Sequence, residues 1–167
     1  MIAIRRAGPA DIGALRRLVE RAYRRDSARR GWTHEADLLN DERTSDLELA
    51  EALAASDRQM LLAEQDGAAV GTVSVIDLGG GKSYLGMLGV DPDVQAAGIG
   101  RALVAEAEAV AVRDFGARTM EMTVIDRRPE LIAWYERRGY RATGEVRPFP
   151  GTTPVSFAMT VLERTLY

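Results

Sequence analysis

The spacing of hydrophobic positions predicts that the chain begins with one strand followed by helices. Ile2–Arg5 alternates as a short strand does, and Pro9 with Asp11 in the next turn indicates a helix start. We expect this helix to run to about Arg25. Its apolar positions recur at helical spacing, at Ile12, Leu15, Val19 and Ala22.

Capping residues predict two short helices after the first one. Thr33 can cap a helix that runs through Leu39. Ser45 with Glu48 forms a capping-box pattern for another helix, which ends near Ala55.

The middle of the chain predicts three successive strands. Gln59–Glu64 and Ala69–Ile76 are separated by an Asp-Gly pair, which is typical of a tight hairpin. A glycine turn then leads to the strand Ser83–Val90. Gly86 and Gly89 interrupt this strand, and glycine inside a strand marks a bulge or the close approach of another backbone.

The second half of the chain alternates helices and strands. The predicted elements are a helix from Gly98 to Phe115, a strand Thr119–Ile125, a helix from Pro129 to Gly139, and strands at 140–146 and 155–162. A strand, a crossover helix and a second strand around residues 85–125 imply a locally parallel pair of strands.

Composition limits the class of protein. The 167 residues, 46% of them hydrophobic, predict a single domain over residues 1–167 with a buried core. Cysteine is absent and His34 is the only histidine, which excludes disulfide scaffolds, thiolate nucleophiles and cysteine or multi-histidine metal sites. No segment approaches the roughly 20 apolar residues of a membrane span. With no signal peptide evident either, we expect a cytoplasmic location and no membrane attachment.

Charge adds little to this assignment. The net charge of −3 gives no general attraction to nucleic acid or anionic membranes. Nine arginines fall within the first 30 residues, with Tyr23 as the only aromatic side chain among them, so we expect no nucleic-acid partner. Lys82, the only lysine, is predicted to be an exposed loop residue.

The segment most informative about function follows the strand that ends at Val90. A short loop leads to Gly98-Ile99-Gly100 at the start of a helix, where free backbone N–H groups and small residues form an anion site. Gln95 and Arg101 can add side-chain donors, so a phosphate or pyrophosphate is a candidate ligand. A P-loop and a dinucleotide fingerprint are excluded, because each lacks a required glycine here.

With these residues in view, the sequence resembles the GNAT family of N-acetyltransferases. One motif is a strand that ends in Val90-Asp91-Pro92, followed by Gln95-Ala96-Ala97-Gly98-Ile99-Gly100. The second is an apolar strand with Met120, Met122 and Val124, followed by a helix that ends in Tyr135-Glu136-Arg137-Arg138-Gly139-Tyr140. The order of predicted elements matches the family over nearly the whole chain.

The resemblance implies an α/β fold, with a mixed, mostly antiparallel central sheet, a splayed parallel strand pair and flanking helices. It implies that acetyl-CoA is the cosubstrate and lies between the splayed strands. The implied cosubstrate-binding residues are Leu88 and Val90 along the pantetheine arm, and Gln95, Ala96, Ala97, Gly98, Ile99, Gly100 and Arg101 at the pyrophosphate. Arg128 stands where the family often has asparagine. Two roles are open at this point of the helix start. Arg128 can bind a phosphate of the cosubstrate, or Asp126 can provide the helix cap that the usual asparagine would give.

The resemblance also implies a reaction in which an amine attacks a thioester. A backbone N–H freed by a bulge near Met87-Leu88 can stabilise the oxyanion, and Tyr135 occupies the position of the general acid in many members. Glu121 is our candidate base; the alternative is an ordinary strand carboxylate that faces solvent or pairs with an arginine. The chemistry needs no protein nucleophile, in agreement with the absence of cysteine.

The acceptor is expected to be a small-molecule or peptide amine. Tyr23 and Trp32 are candidates to line its pocket, with simple core packing as the alternative. The apolar segment 155–159 permits a homodimer. A non-catalytic acyl-CoA-binding or sensing domain of the same fold is the alternative function.

Overall fold

A computed structural model describes residues 2–29, 44–94, 98–148 and 157–166, with side chains up to residue 22 in the first range. A 3-10 turn at Pro9–Asp11 precedes the first helix. In chain order the strands and helices are β1 (Ile2–Arg6), α1 (Ile12–Arg29), α2 (Asp46–Ala54), β2 (Arg58–Gln65), β3 (Ala68–Gly79), β4 (Lys82–Val90), α3 (Ile99–Phe115), β5 (Thr119–Ile125), α4 (Pro129–Glu136), β6 (Arg141–Pro148) and β7 (Ala158–Thr165). The short helix predicted at 33–39 lies outside the described residues.

The seven described strands form one sheet in the order β1-β2-β3-β4-β5-β7-β6. Each neighbouring pair is antiparallel except β4 and β5, which are parallel and are joined by the crossover helix α3. The predicted fold class, a mostly antiparallel mixed sheet with one parallel pair and flanking helices, is confirmed.

Local sequence signals account for several element boundaries. Asp66 and Gly67 both have positive φ angles, 52° and 81°, as the two central residues of a type I′ turn require. This turn matches the twist of β2 and β3 and closes their hairpin. Ser45 accepts a hydrogen bond from the Glu48 N–H at 3.2 Å and so caps α2, as predicted.

Two hydrophobic clusters cover the two faces of the sheet. Alternate residues of β2 point to opposite faces, so Met60 and Leu62 pack with α1 and α2, whereas Leu61 and Ala63 pack with α3. We call these the α1 face and the α3 face. Within the described ranges, no helix is both long and apolar enough to cross a membrane.

The expectation that Lys82 lies in a loop is wrong, although its side chain is 38% exposed. Only Gly80 and Gly81, with φ angles of 62° and 80°, form the turn, so Lys82 is already paired with Gly79 as the first residue of β4. Its ammonium group donates to Glu163 Oε2 at 2.9 Å. The lysine is therefore part of a charged cluster on the sheet.

The contact between α3 and β3 at Gly71 generates a stability prediction. A Cβ atom at Gly71 would lie 2.8 Å from Leu103 Cδ1 and 3.0 Å from Ile99 Cγ2, both buried side chains. Gly71→Ala should therefore lower the free energy of unfolding by about 1–3 kcal/mol, because the helix must shift. Chemical denaturation measures this change.

Gly13→Ala is the matched control for this substitution. Gly13 is an exposed residue of α1, and an added Cβ there meets only the flexible Arg17 side chain. This variant should be unchanged or more stable by up to about 1 kcal/mol, because alanine favours the helix. Equal effects at the two positions would contradict close packing at Gly71.

Candidate active site

The parallel strands β4 and β5 part from each other after a short ladder. Lys82–Tyr84 pairs with Thr119–Glu121, and the pairing ends there within the described chain. From Leu85 onward, the edge of β4 that faces β5 therefore carries backbone donors and acceptors with no strand partner. Such an edge can pair with an extended ligand that carries amide groups.

A β-bulge lies on β4 inside this parting. Val73 of β3 is opposed by two residues of β4, Met87 and Leu88, and Met87 has a φ of +50°. The bulge predicted near Met87-Leu88 is thus confirmed. The extra residue of a bulge leaves the regular ladder, so its backbone groups become available to other partners.

The bulge also changes which residues of β4 point to each face. Leu85, before the bulge, packs in the α3-face cluster, and after it Leu88 and Val90 do so as well. Met87 packs against the α1-face cluster instead. One inserted residue therefore shifts the alternation of the strand by one position.

Asp91 fixes the exit from β4. Its N–H donates to the Val70 carbonyl at 2.8 Å, its carboxylate accepts from the Asp93 N–H at 2.9 Å, and it forms an ion pair with Arg21 of α1 at 2.9 Å. The loop that follows the open strand edge thus starts from a defined position.

The helix α3 begins at the end of this loop. Gly98, its N-cap, has a φ of 91°, and its carbonyl accepts the first intrahelical hydrogen bond from the Ala102 N–H at 2.8 Å. The N–H groups of residues 98–101 have no partner inside the helix and are available to an anion. Of the predicted anion-binding residues, Gly98, Ile99, Gly100 and Arg101 lie here, while Gln95, Ala96 and Ala97 lie outside the described residues.

Tyr135 lies on the α3 face and is almost fully buried, with 5% of its surface exposed. Its ring meets Trp134 and Tyr140 edge to face, with centroids 4.9 and 5.9 Å away. Burial raises the pKa of the Tyr135 phenol above its usual value; the charge of Arg128 opposes this rise, and Tyr84 adds to it. Tyr135 thus keeps its proton and is electrostatically coupled to both residues.

Arg128 is the N-cap residue of α4 and makes no capping hydrogen bond from its side chain. The side chain is only 14% exposed, with its Nε 3.8 Å from Glu130 Oε1. The expectation that Asp126 caps this helix is wrong, because Asp126 lies two residues before the N-cap and its N–H donates to the Ala158 carbonyl at 2.9 Å.

On the α1 face, Tyr84 spans the point where the strands part. Its hydroxyl lies 2.6 Å from Thr123 Oγ1 on β5. The ring lies over Gly86, where a Cβ atom would come within 3.1 Å of Tyr84 Cε1. The glycine therefore gives the ring space to reach across the parting.

Glu121 lies beside Tyr84, and only 4% of the residue's surface is exposed. Both terminal nitrogens of Arg147 donate to it, at 2.9 and 3.1 Å, and the Lys82 ammonium lies 3.8 Å away. Glu163, directly opposite on β7, binds the same lysine. The carboxylate is held in an ion-pair cluster at the parting of the strands.

Three residues at this site were missed by sequence reasoning: Tyr84, Thr123 and Arg147. The alternation of β5 puts Glu121 and Thr123 on one face, and this was readable from the sequence. The partners of these two residues depend on the pairing of β4 and β5 and on where β6 lies, and no local motif encodes that.

The side chains of both predicted acceptor residues lie outside the described part of the structure. Tyr23 lies in α1, but its side chain is outside the described part, as is the whole of Trp32.

Comparison with known proteins gives a family match. The model of the acetyltransferase (GNAT) family matches residues 14–140, about three quarters of the chain. A search of curated protein sequences found no significant match.

Solved structures of N-acetyltransferases share the fold of this chain. The PaiA N-acetyltransferase of Thermoplasma acidophilum, crystallised with coenzyme A, has a TM-score of 0.78 and 19% identity, covering 99% of each chain. The ribosomal-protein-S18-alanine N-acetyltransferase of Escherichia coli has a TM-score of 0.76 and 19% identity, covering 99% of this chain and 94% of that one. A spermidine N-acetyltransferase SpeG chimera from Vibrio cholerae and hSSAT has a TM-score of 0.75 and 14% identity, covering 98% and 95%.

Proposed function

Because the chain belongs to the acetyltransferase (GNAT) family, we propose that it transfers the acetyl group of acetyl-CoA to a primary amine by direct attack in a ternary complex. One observation carries the proposal. The open edge of β4, with its bulge, leads directly into a helix N-terminus, so an extended amide-bearing arm and an adjoining diphosphate have neighbouring sites.

The backbone of β4 supplies the binding surface for the pantetheine arm. Leu88 and Val90 lie on the part of β4 beyond the ladder, where their amide groups can pair with the arm as an added strand would. The diphosphate is assigned to the N–H groups of residues 98–101, together with residues 95–97 of the preceding loop. Arg101 and Arg128 add positive charge near the phosphates.

Acetyl-CoA supplies an acetyl thioester to this site. The amine nitrogen forms the new C–N bond, and the C–S bond breaks as the thiolate leaves. A backbone N–H at the bulge of Met87 and Leu88 stabilises the negative charge on the carbonyl oxygen. Tyr135 gives its proton to the sulfur. Burial, which raises the pKa of Tyr135, would also disfavour a thiolate bound beside it and so favour transfer of the phenol proton to the sulfur.

Glu121 is the group we propose to receive the proton of the attacking amine, directly or through a water. It lies on the α1 face, so the proposed base and the proposed acid, Tyr135, are on opposite faces of the sheet. Its ion pair with Arg147 holds the carboxylate in place beside the parting of the strands.

The acceptor is proposed to be a small-molecule or peptide amine. Two proteins of similar fold carry the acceptor in their names. One acceptor is an alanine of a ribosomal protein and the other is spermidine. Tyr23 and Trp32 remain predicted pocket residues, and a homodimer through residues 155–159 remains a prediction.

Thermal unfolding with acetyl-CoA, followed by thiol release with a panel of amines, tests the proposed function. Acetyl-CoA should raise the Tm as its concentration rises, since it binds only the folded chain. At least one amine should then accelerate thiol release. No shift at millimolar acetyl-CoA would overturn the proposal, and a shift without thiol release from any amine would support the sensing domain.

Tyr135→Phe tests the acid role. The variant should lower kcat roughly 100-fold while leaving the Kd for acetyl-CoA nearly unchanged, because only proton transfer is lost. Since burial raises the pKa of Tyr135 above its usual value of about 10, the wild type should show no loss from phenol ionisation up to about pH 10. An unchanged kcat in the variant across this pH range would remove Tyr135 as the acid.

Glu121→Gln tests the base role, with Glu163→Gln as the matched control. The two glutamates are opposite each other across β5 and β7, and both contact Lys82. Glu121→Gln should lower kcat/KM at least tenfold for the best amine, whereas Glu163→Gln should change it less than threefold. Equal losses would indicate that Glu121 acts only through the charge of the cluster.

A further inference from the structure

The ring of Tyr135 is held by other rings rather than by its own hydroxyl group. In the part of the chain that the structure describes, the Tyr135 hydroxyl makes no hydrogen bond. Trp134 and Tyr140 contact the ring edge to face, with interplanar angles of 87° and 76°. Aromatic pairs prefer such arrangements, so these two neighbours determine how the Tyr135 ring is turned.

A turn after α4 brings Tyr140 back to Tyr135. Gly139 has a φ of 97°, and the Tyr140 N–H donates to the Tyr135 carbonyl at 3.2 Å. The glycine also leaves room for Arg164 of β7, because a Cβ atom at Gly139 would lie 2.9 Å from Arg164 Nε. The turn thus places Tyr140, which is fully buried, against the ring of Tyr135.

The hydroxyl of Tyr140 is tied to α3. It donates to Glu108 Oε2 at 2.8 Å, and Glu108 Oε1 accepts from Arg164 Nη1 at 2.7 Å. Burial raises the pKa of Tyr140 and Glu108 adds to the rise, so the hydroxyl keeps its proton and stays a donor. Glu108 thus joins α3 to β7 and to the turn after α4.

The helix α3 also carries part of the proposed cosubstrate site. Its first N–H groups are those to which the diphosphate is assigned, and Glu108 lies roughly 15 Å further along the same helix. A regular helix keeps such a separation constant. The hydrogen bond from Tyr140 to Glu108 therefore relates the ring of Tyr135 to the element that holds the cosubstrate.

We propose that Glu108 and Tyr140 are positioning residues, and that the hydrogen bond between them fixes the phenol of Tyr135 relative to the thioester. The inference rests on the proposed function. Proton transfer requires donor and acceptor within hydrogen-bond distance, and a misplacement of about 1 Å can lower a rate roughly 100-fold. Neither residue contacts the reacting atoms; each acts through the ring of Tyr135.

Tyr140→Phe tests the proposal, because it removes the hydrogen bond and keeps the ring. With the best amine of the panel, kcat should fall roughly tenfold, while the Kd for acetyl-CoA and the KM for the amine stay within about twofold. Added to Tyr135→Phe, the same substitution should cause no further loss, because the acid through which Tyr140 acts is already absent. A further loss in the double variant would indicate a purely structural role and overturn the proposal.

Variants of Glu108 separate its hydrogen bond from its ion pair with Arg164. Glu108→Ala should lower kcat about as much as Tyr140→Phe, and the two together should lower it no further, since both remove one hydrogen bond. Glu108→Gln should lose less, because its amide group can still hydrogen-bond the Tyr140 hydroxyl. Equal losses in the two Glu108 variants would assign the effect to the ion pair and overturn the proposal. Glu108 is only partly buried, so its variants keep the test valid if Tyr140→Phe does not fold.

Ser45→Ala is the control for stability. Ser45 caps α2, which packs on the α1 face, so its loss should lower the Tm as Tyr140→Phe does and leave kcat unchanged. A kcat that falls equally in Ser45→Ala would mean that activity follows stability, and the proposal would be overturned.

The same measurements distinguish this proposal from the proposed function. If Tyr135→Phe lowers kcat and Tyr140→Phe does not, the positioning role is overturned and the proposed function stands. If the wild type releases no thiol with any amine, both are overturned.

Discussion

One extra residue in β4 is the feature on which the rest of the site depends. The bulge opposite Val73 lets β4 stay paired with β3 along one edge while its other edge leaves β5 beyond Tyr84. It also turns Leu88 and Val90 into the α3-face core, which anchors the strand just before the loop to α3. The open edge, the freed backbone groups and the helix N-terminus therefore follow one another along a single stretch of chain.

The two faces of the parted sheet differ in character, and the difference suits the proposed chemistry. On the α3 face, Tyr135 lies among aromatic rings, where burial raises its pKa and keeps its proton in place. On the α1 face, Glu121 accepts two hydrogen bonds from Arg147 beside the parting. A protonated phenol suits a departing thiolate and a carboxylate suits an incoming amine, so the sheet would separate the two proposed proton transfers.

Local signals in the sequence predicted much of this fold. The Asp66-Gly67 turn, the Ser45 cap and the glycine before α3 each depend on residues a few positions apart, and all three are present. Lys82 was misplaced because the sequence does not show how many glycines of a run the turn will use. The ion pair of Glu121 with Arg147 joins residues 26 positions apart, so it depends on long-range packing.

Residue-resolved hydrogen exchange of β4, with and without saturating acetyl-CoA, tests the central claim most directly. If the pantetheine arm adds to the open edge, the amides of Leu88 and Val90 should gain protection. Tyr84, which is already within the ladder, should change little. Unchanged exchange at Leu88 and Val90 under conditions where acetyl-CoA raises the Tm would contradict the account, because the ligand would then bind elsewhere.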